Sequence, residues 1–266
     1  MLTVFITGCA TGFGRRLAVR LLAEGHRVVA TDRDWSTLDG LGPDERVLKC
    51  ALDVRDDEAV RLAVEAALKW GPVDVLVNNA GHAVFGTQEE VDIEVIKDLF
   101  DVNVYGPIRV TRALLPALRR SKGVIVQLSS VAGRMVFPES GFYAATKYAV
   151  EALSEALYQE TRSFGIRIRV IEPGSFATKF LPTAEQKSVP RSQASPYYSE
   201  QIRWDQLKQA VLEDPQDPRL VVDAIVASLG DDEPFMRIPV GADALRILAD
   251  RDDIPPDSWV GAIRPL

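Results

Sequence analysis

The chain is short of the residues that most small-protein chemistries need. Among 266 residues there are two cysteines, Cys9 and Cys50, and two histidines, His26 and His82. Two thiols make no disulfide framework, and no CxxC pair is present. Two histidines far apart in sequence argue against a His-rich zinc site. Positive charge is also the minority: 31 Lys+Arg stand against 38 Asp+Glu, a formal net charge of -7. That balance disfavours a nucleic-acid backbone or an anionic membrane as main partner. No apolar run approaches the roughly 18 residues of a membrane span. The N-terminus enters an apolar strand at once, without the basic start of a signal peptide, so a reducing, cytoplasmic compartment is expected. What remains is ordinary globular material, 47% hydrophobic and 26% charged. Its length suits one large α/β domain over 1–266.

Runs rich in Val, Ile and Leu occur at 2–7, 27–31, 47–53, 73–78, 124–129, 166–172 and 235–240. They lack the polar alternation of a half-wet sheet, which predicts strands covered on both faces. Amphipathic patterns between them predict helices over 12–24, 56–70, 93–120 and 143–163, the third kinked at Gly106-Pro107. Strand and helix in alternation predict a doubly wound parallel α/β sheet. The stretch 176–218 breaks the pattern with five prolines and the aromatics Tyr197, Tyr198 and Trp204. A segment of that length and composition predicts a short helical lid, about 181–215, over the strand ends. Asp217-Pro218 then reads as the start of the next helix.

Between the first strand and first helix lies Thr7-Gly8-Cys9-Ala10-Thr11-Gly12-Phe13-Gly14. Glycines there let the backbone turn tightly and approach a pyrophosphate at a helix N-terminus, although a plain βα turn uses them too. Asp32 ends the second strand, near the spacing expected of the acid that binds the adenosine ribose. A carboxylate there accepts from the ribose hydroxyls and repels a 2′-phosphate, which favours NAD. Arg33 beside it suits a phosphate and keeps NADP open as the less favoured cofactor. Asp53 is placed either to meet the adenine or to cap the next helix. Asn78-Asn79-Ala80-Gly81 ends the fourth strand, where small residues suit the crevice.

Tyr143 and Lys147 are four apart and share one helix face. A tyrosine is a poor acid or base at neutral pH, but a neighbouring ammonium stabilises its phenolate. Ser130, which follows the fifth strand, adds a hydroxyl that can hold a carbonyl oxygen while the tyrosine passes a proton.

With these motifs in place, the sequence resembles the short-chain dehydrogenase/reductase family over about 3–240. The resemblance rests on Thr7-Gly8-x-x-x-Gly12-x-Gly14, Asp53-Val54, Asn78-Asn79-Ala80-Gly81, Asn103, Ser130, Tyr143-x-x-x-Lys147, and Pro173-Gly174 with Thr178. It implies a single Rossmann-like domain with a sheet of about seven strands. It also implies hydride transfer between a nicotinamide and a secondary alcohol or ketone carbon. By the same resemblance Tyr143 is the acid/base, Ser130 orients the substrate oxygen, Lys147 binds the nicotinamide ribose, and Asn103 completes a water relay. Thr178 would hold the carboxamide. Phe13, Val54, Asn79, Ala80, Gly81, Pro173 and Gly174 would line the cofactor beside Gly8, Gly12, Gly14, Asp32, Arg33 and Asp53. The pattern is most similar to the hydroxysteroid (17β-type) and retinol dehydrogenase branch, on Ile6-Thr7-Gly8-Cys9 and Asp101-Val102-Asn103-Val104. A homodimer or homotetramer built on 108–118 and 150–158 is likewise implied.

The substrate side is read from fewer signals. His82 either faces the substrate or is a polar loop residue. Met135, Phe137 and Phe142 lie between Ser130 and Tyr143 and wall the pocket unless they pack in the core. Phe180, Tyr197 and Trp204 are lid candidates. A partly apolar alcohol or carbonyl compound is the expected partner, with no metal. The alternatives are an NADP-linked carbonyl reductase and a nucleotide-sensing regulator of the same fold.

Overall fold

The computed structural model describes residues 1–42, 45–212 and 215–253. The apolar runs form seven strands: β1 (Thr3–Thr7), β2 (Arg27–Asp32), β3 (Val47–Ala51), β4 (Val75–Asn78), β5 (Val124–Leu128), β6 (Arg167–Pro173) and β7 (Phe235–Val240). All pair in parallel, in the order β3-β2-β1-β4-β5-β6-β7. The order reverses between β1 and β4, so a crevice opens beyond the C-terminal ends of those two strands. Alternate residues serve opposite faces. Val4, Ile6, Val28, Ala30, Val75 and Val77 meet Leu17, Leu21, Val221 and Ile225 of helices α1 (Gly12–Ala23) and α8 (Arg219–Leu229). Phe5, Val29, Leu76 and Ile125 meet Val60, Val64, Val110 and Leu114 of α2 (Asp57–Trp70) and α4 (Gly106–Ser121). Burial on both faces explains why the central strands are mostly apolar, whereas the edge strands β3 and β7 are only half-buried and carry Lys49 and Arg237.

Local signals set the helix ends. Asp56 caps α2 by accepting from Glu58 N at 2.8 Å and Ala59 N at 3.2 Å, and Gly71 closes it. Asp92 caps α3 (Ile93–Phe100) in the same way. The single helix expected over 93–120 is divided one turn earlier than Gly106-Pro107. Residues Asp101–Tyr105 form a wide π turn between α3 and α4. Pro107 sits in the first turn of α4, where a missing N–H breaks nothing. Gly106 is required instead by contact: a Cβ there would stand 2.7 Å from Val54 Cγ2.

The excursion over 176–218 is helical, as expected. It contains α6 (Phe180–Lys187) and α7 (Tyr198–Leu212); residues 213 and 214 lie outside the described residues. Asp217 accepts from Arg219 N at 2.9 Å and starts α8. The remaining helices are α5 (Gly141–Thr161) and α9 (Ala242–Asp253), and α9 is not among the helices expected from the sequence. No described helix is long and apolar enough to cross a membrane.

Candidate active site

The glycine turn is built as two kinds of glycine. Gly8 (φ +75) and Gly14 are closed in by the neighbouring strand end. A Cβ on Gly14 would overlap the Gly8 carbonyl oxygen and stand 2.5 Å from Asn79 Nδ2. Gly12 (φ +60) faces open space, with nothing within 4 Å of a Cβ placed there. Asn79 holds the turn from β4: its Nδ2 donates to Thr7 O at 2.8 Å and Gly8 O at 2.9 Å. Thr7 Oγ1 in return accepts from Asn79 N and Ala80 N, both at 3.0 Å. The β1 and β4 ends are thus tied by amide and hydroxyl groups, and the open Gly12 face is left for a ligand.

That face continues into an open pocket of about 490 Å³ lined by Thr11, Gly12, Arg15, Arg16, Ala177, Thr178 and Lys179. It joins two sequence candidates more than 160 residues apart, Gly12 and Thr178, at the N-terminus of α1. Three cations border it, as a diphosphate requires. Arg15 and Arg16 follow Gly12 at helical spacing and were legible in principle. Lys179 has no sequence signal, since only folding brings it to the turn. Phe13 packs edge-on against Phe176 (ring centroids 5.7 Å) beneath this region.

Asp32 Oδ2 accepts from Ala10 N at 2.9 Å, fixing the carboxylate beside the turn. Arg33 is exposed next to it. Asp53 does not cap α2, because Asp56 does. It forms an ion pair with Arg55 at 2.6 Å, which holds its carboxyl below the usual range. Arg55 also pairs with Asp98 at 2.6 Å. Val54 is buried under Gly106. Gly174 is a close approach: any side chain there would collide with the Asp243 carboxylate of α9, which accepts from Ser175 N at 2.6 Å.

Tyr143 and Lys147 lie on α5 with 9% and 7% of their surface exposed. Lys147 Nζ donates to Leu128 O at 2.7 Å and stands 5.7 Å from the centre of the Tyr143 ring. Ser130 follows β5; its Oγ accepts from Ala132 N at 3.1 Å. A hydrogen bond with Ser130 pulls the Tyr143 phenol down, but burial outweighs it and pushes the phenol up to about 12. The expected lowering by Lys147 is therefore not met in the protein alone. The ammonium is directed at the Leu128 carbonyl, and burial pulls Lys147 down to about 8. Asn103, in the π turn, is buried and clamps the loop after β4. Its Oδ1 accepts from His82 N at 3.0 Å, and its Nδ2 donates to His82 O at 2.8 Å and Thr146 Oγ1 at 3.1 Å. A Cβ on Gly81 would press on the same amide at 3.2 Å.

Tyr143 packs in an apolar cluster with Ala83, Ala132, Ala144 and Ala184, against which Phe85 and Phe180 lie. Phe180 lies against the Tyr143 ring at 5.7 Å. Phe85 was missed, having no motif around it. Phe137 stacks on Trp204 of α7 at 5.9 Å, and Met135 is buried. Three candidates lie elsewhere. Phe142 packs with Val84, Val91 and Leu99 beside α3. The Tyr197 hydroxyl donates to Glu89 at 2.6 Å. His82 turns its Nε2 to Asp98 at 3.2 Å, and burial holds its imidazole below the usual range. Polar ties dock the excursion on the sheet end: Ser188 Oγ accepts from Phe85 N at 2.8 Å, and Arg191 bridges Glu139 and Asp205, each at 2.7 Å.

The profile of the short chain dehydrogenase family matches residues 2–188. The chain belongs to this family of oxidoreductases. Among curated relatives, "Oxidoreductase calM" of Penicillium decumbens is 34% identical over 264 residues, covering 92% of this chain and 86% of that one. A short-chain dehydrogenase from Streptomyces avermitilis has a solved structure with a TM-score of 0.84 and 36% identity, covering 95% of this chain and 92% of that one. A member from Burkholderia phymatum, solved in complex with NAD, gives 0.80 and 27% identity over 100% of this chain and 96% of that one. Other solved matches carry NADP. The Rossmann-like sheet expected from the sequence is the one observed.

Proposed function

We propose that the protein is a nicotinamide-dependent oxidoreductase that interconverts a secondary alcohol and a ketone on a partly apolar substrate. The observation that carries this reading is the buried Tyr143–Lys147 pair beside Ser130 at the C-terminal end of β5, on the same sheet edge as the open glycine turn after β1. The turn, α1 and the cations Arg15, Arg16 and Lys179 fit the diphosphate of a dinucleotide. When bound, the nicotinamide supplies or accepts the hydride. The protein supplies position and the proton. Ser130 Oγ holds the substrate oxygen. Tyr143, neutral at physiological pH with a phenol near 12, is a proton donor for reduction. In the oxidative direction the phenol must yield that proton, and the Lys147 ammonium is the charge that favours the phenolate. Phe85 and Phe180 exclude water and offer apolar contact, which supports a substrate with hydrocarbon beside its carbonyl.

Asp32 supports NAD, because its free oxygen Oδ1 can accept from a ribose hydroxyl and repels a 2′-phosphate. The exposed guanidinium of Arg33 supports NADP as the second reading. Self-association fits α5, whose outward side presents Tyr148 and Leu153 at 41% and 42% exposure. The direct test follows absorbance at 340 nm with ketones and secondary alcohols, with both cofactors in parallel. Turnover that survives Tyr143→Phe at more than a few per cent would remove the acid/base assignment. Activity lost with NADH binding retained is the expected result.

A further inference from the structure

One helical turn beyond Lys147 on α5, Glu151 is buried at 6% exposure, and Glu172 on β6 is at 0%. Gly133 lets this side of the helix close down. A Cβ there would stand 3.0 Å from Glu151 Cγ and 2.7 Å from Ser129 Oγ. Two guanidiniums reach the acids. Arg237 of β7 lies 2.9 Å from Glu151 Oε2 and 3.9 Å from Glu172 Oε1, and Arg134 lies 3.9 Å from Glu172 Oε2. Taken as two ionised carboxylates, the pair leaves Glu151 Oε1 and both oxygens of Glu172 buried without a hydrogen-bond partner. Ionised carboxylates only accept, so two that face each other cannot bond. One proton between them turns one into a donor and satisfies one oxygen of each, leaving the other Glu172 oxygen to a guanidinium at 3.9 Å. Both acids flank the same Arg237 Nε, at 2.9 and 3.9 Å, which sets them side by side.

We infer that Glu172 carries a proton directed at Glu151 and that the two acids act through Lys147 as positioning residues, keeping its ammonium charged for Tyr143 and the cofactor ribose. The inference rests on the reading of Tyr143 and Lys147 given above. Burial and then the charge of Glu151 push Glu172 up to about 7. Burial pulls Lys147 down to about 8, and Glu151 is what pulls it back up. The signs interlock. As pH rises through neutrality the Glu172 proton leaves, and the second carboxylate charge arrives just below the range in which burial strips the ammonium. The other charges around the pair are Glu155 on α5, Arg134 after β5, Arg237 on β7, and Arg251 on α9, which acts on the adjacent Tyr148. Arg134 and Arg237 oppose the rise at Glu172, but burial and Glu151 outweigh them.

The test is the pH profile of kcat/KM for the wild type, E151Q and E172Q with saturating cofactor. E151Q removes the charge facing Lys147, and a unit charge one helical turn away, ~6 Å at an effective dielectric near 20, is worth roughly two pH units. Its alkaline limb should fall by that amount, and that of E172Q by less in the same direction. Infrared spectra of the protein alone give the second readout. A protonated-carboxyl C=O band should be present near about pH 6, fade towards about pH 9, and be missing from E172Q. A uniform loss of rate with an unmoved limb, or no such band, overturns the inference. A wild type without turnover under either cofactor refutes the proposed reaction instead, while the infrared band still decides the Glu172 proton.

Discussion

Gly12 and Gly14 are two residues apart in one turn, yet their replacement by alanine should fail in different ways. At Gly14 the new methyl collides with the Gly8 carbonyl and with Asn79 Nδ2, 2.5 Å away. Neither can retreat freely, because Asn79 Nδ2 is bonded to Thr7 O and Gly8 O at 2.8 and 2.9 Å. Overpacking of this kind costs about 1–3 kcal/mol. Loss of the two Asn79 bonds adds roughly 0.5–1.5 kcal/mol each. The total, about 2–6 kcal/mol, should lower Tm by roughly 4–24 °C in a chain of this size. At Gly12 the methyl meets nothing, and only the left-handed backbone (φ +60) is strained. That costs about 1–2 kcal/mol, or a few degrees in Tm. The Gly12 methyl does stand on the open face of the turn. Losing one charge-assisted contact there, worth about 1.5–3 kcal/mol, weakens dinucleotide binding roughly tenfold to a hundredfold. Thermal unfolding and titration of NADH fluorescence on both variants separate the effects. A Gly14→Ala protein that melts with the wild type, or a Gly12→Ala protein that binds NADH as tightly, would refute this division of the turn.

Three further outcomes are expected. Asp32→Ala should cut the preference for NAD over NADP by about one to two decades in kcat/KM, the worth of a charge-assisted ribose contact; an unchanged ratio would pass the decision to Arg33. Light scattering should give a dimer or tetramer, and a mass near 29.3 kDa at micromolar concentration would count against the apolar side of α5 as an interface. Amides of 181–212 should exchange faster in the free enzyme than with cofactor and a substrate analogue, since polar ties such as Arg191–Glu139 hold the segment less firmly than core packing would; equal protection in both states would leave no lid.

The sequence by itself determined the seven strands, because strands shielded by helices are mostly apolar, and that signature is local. It also determined the helix starts at Asp56 and Asp92 and the turn glycines, since capping and left-handed backbone depend on near neighbours. Tyr143 and Lys147 were legible for the same reason: helical spacing alone puts them on one face. Tertiary structure decided what depends on distance across the fold. It assigned Phe142, Tyr197 and His82 their neighbours in a core cluster, on Glu89 and on Asp98. It brought Phe85 and Phe180 against the Tyr143 cluster and Lys179 to the glycine turn, none of which has a periodicity that reports it. The direction of the Tyr143 phenol shift also came from folding, since burial competes with Ser130 and with a lysine whose ammonium is directed at Leu128. Glu151 and Glu172 belong to the same class. Each looks like an ordinary residue in its own helix or strand, and only the packing of α5 on β6 buries the two acids together, where desolvation makes their protonation matter.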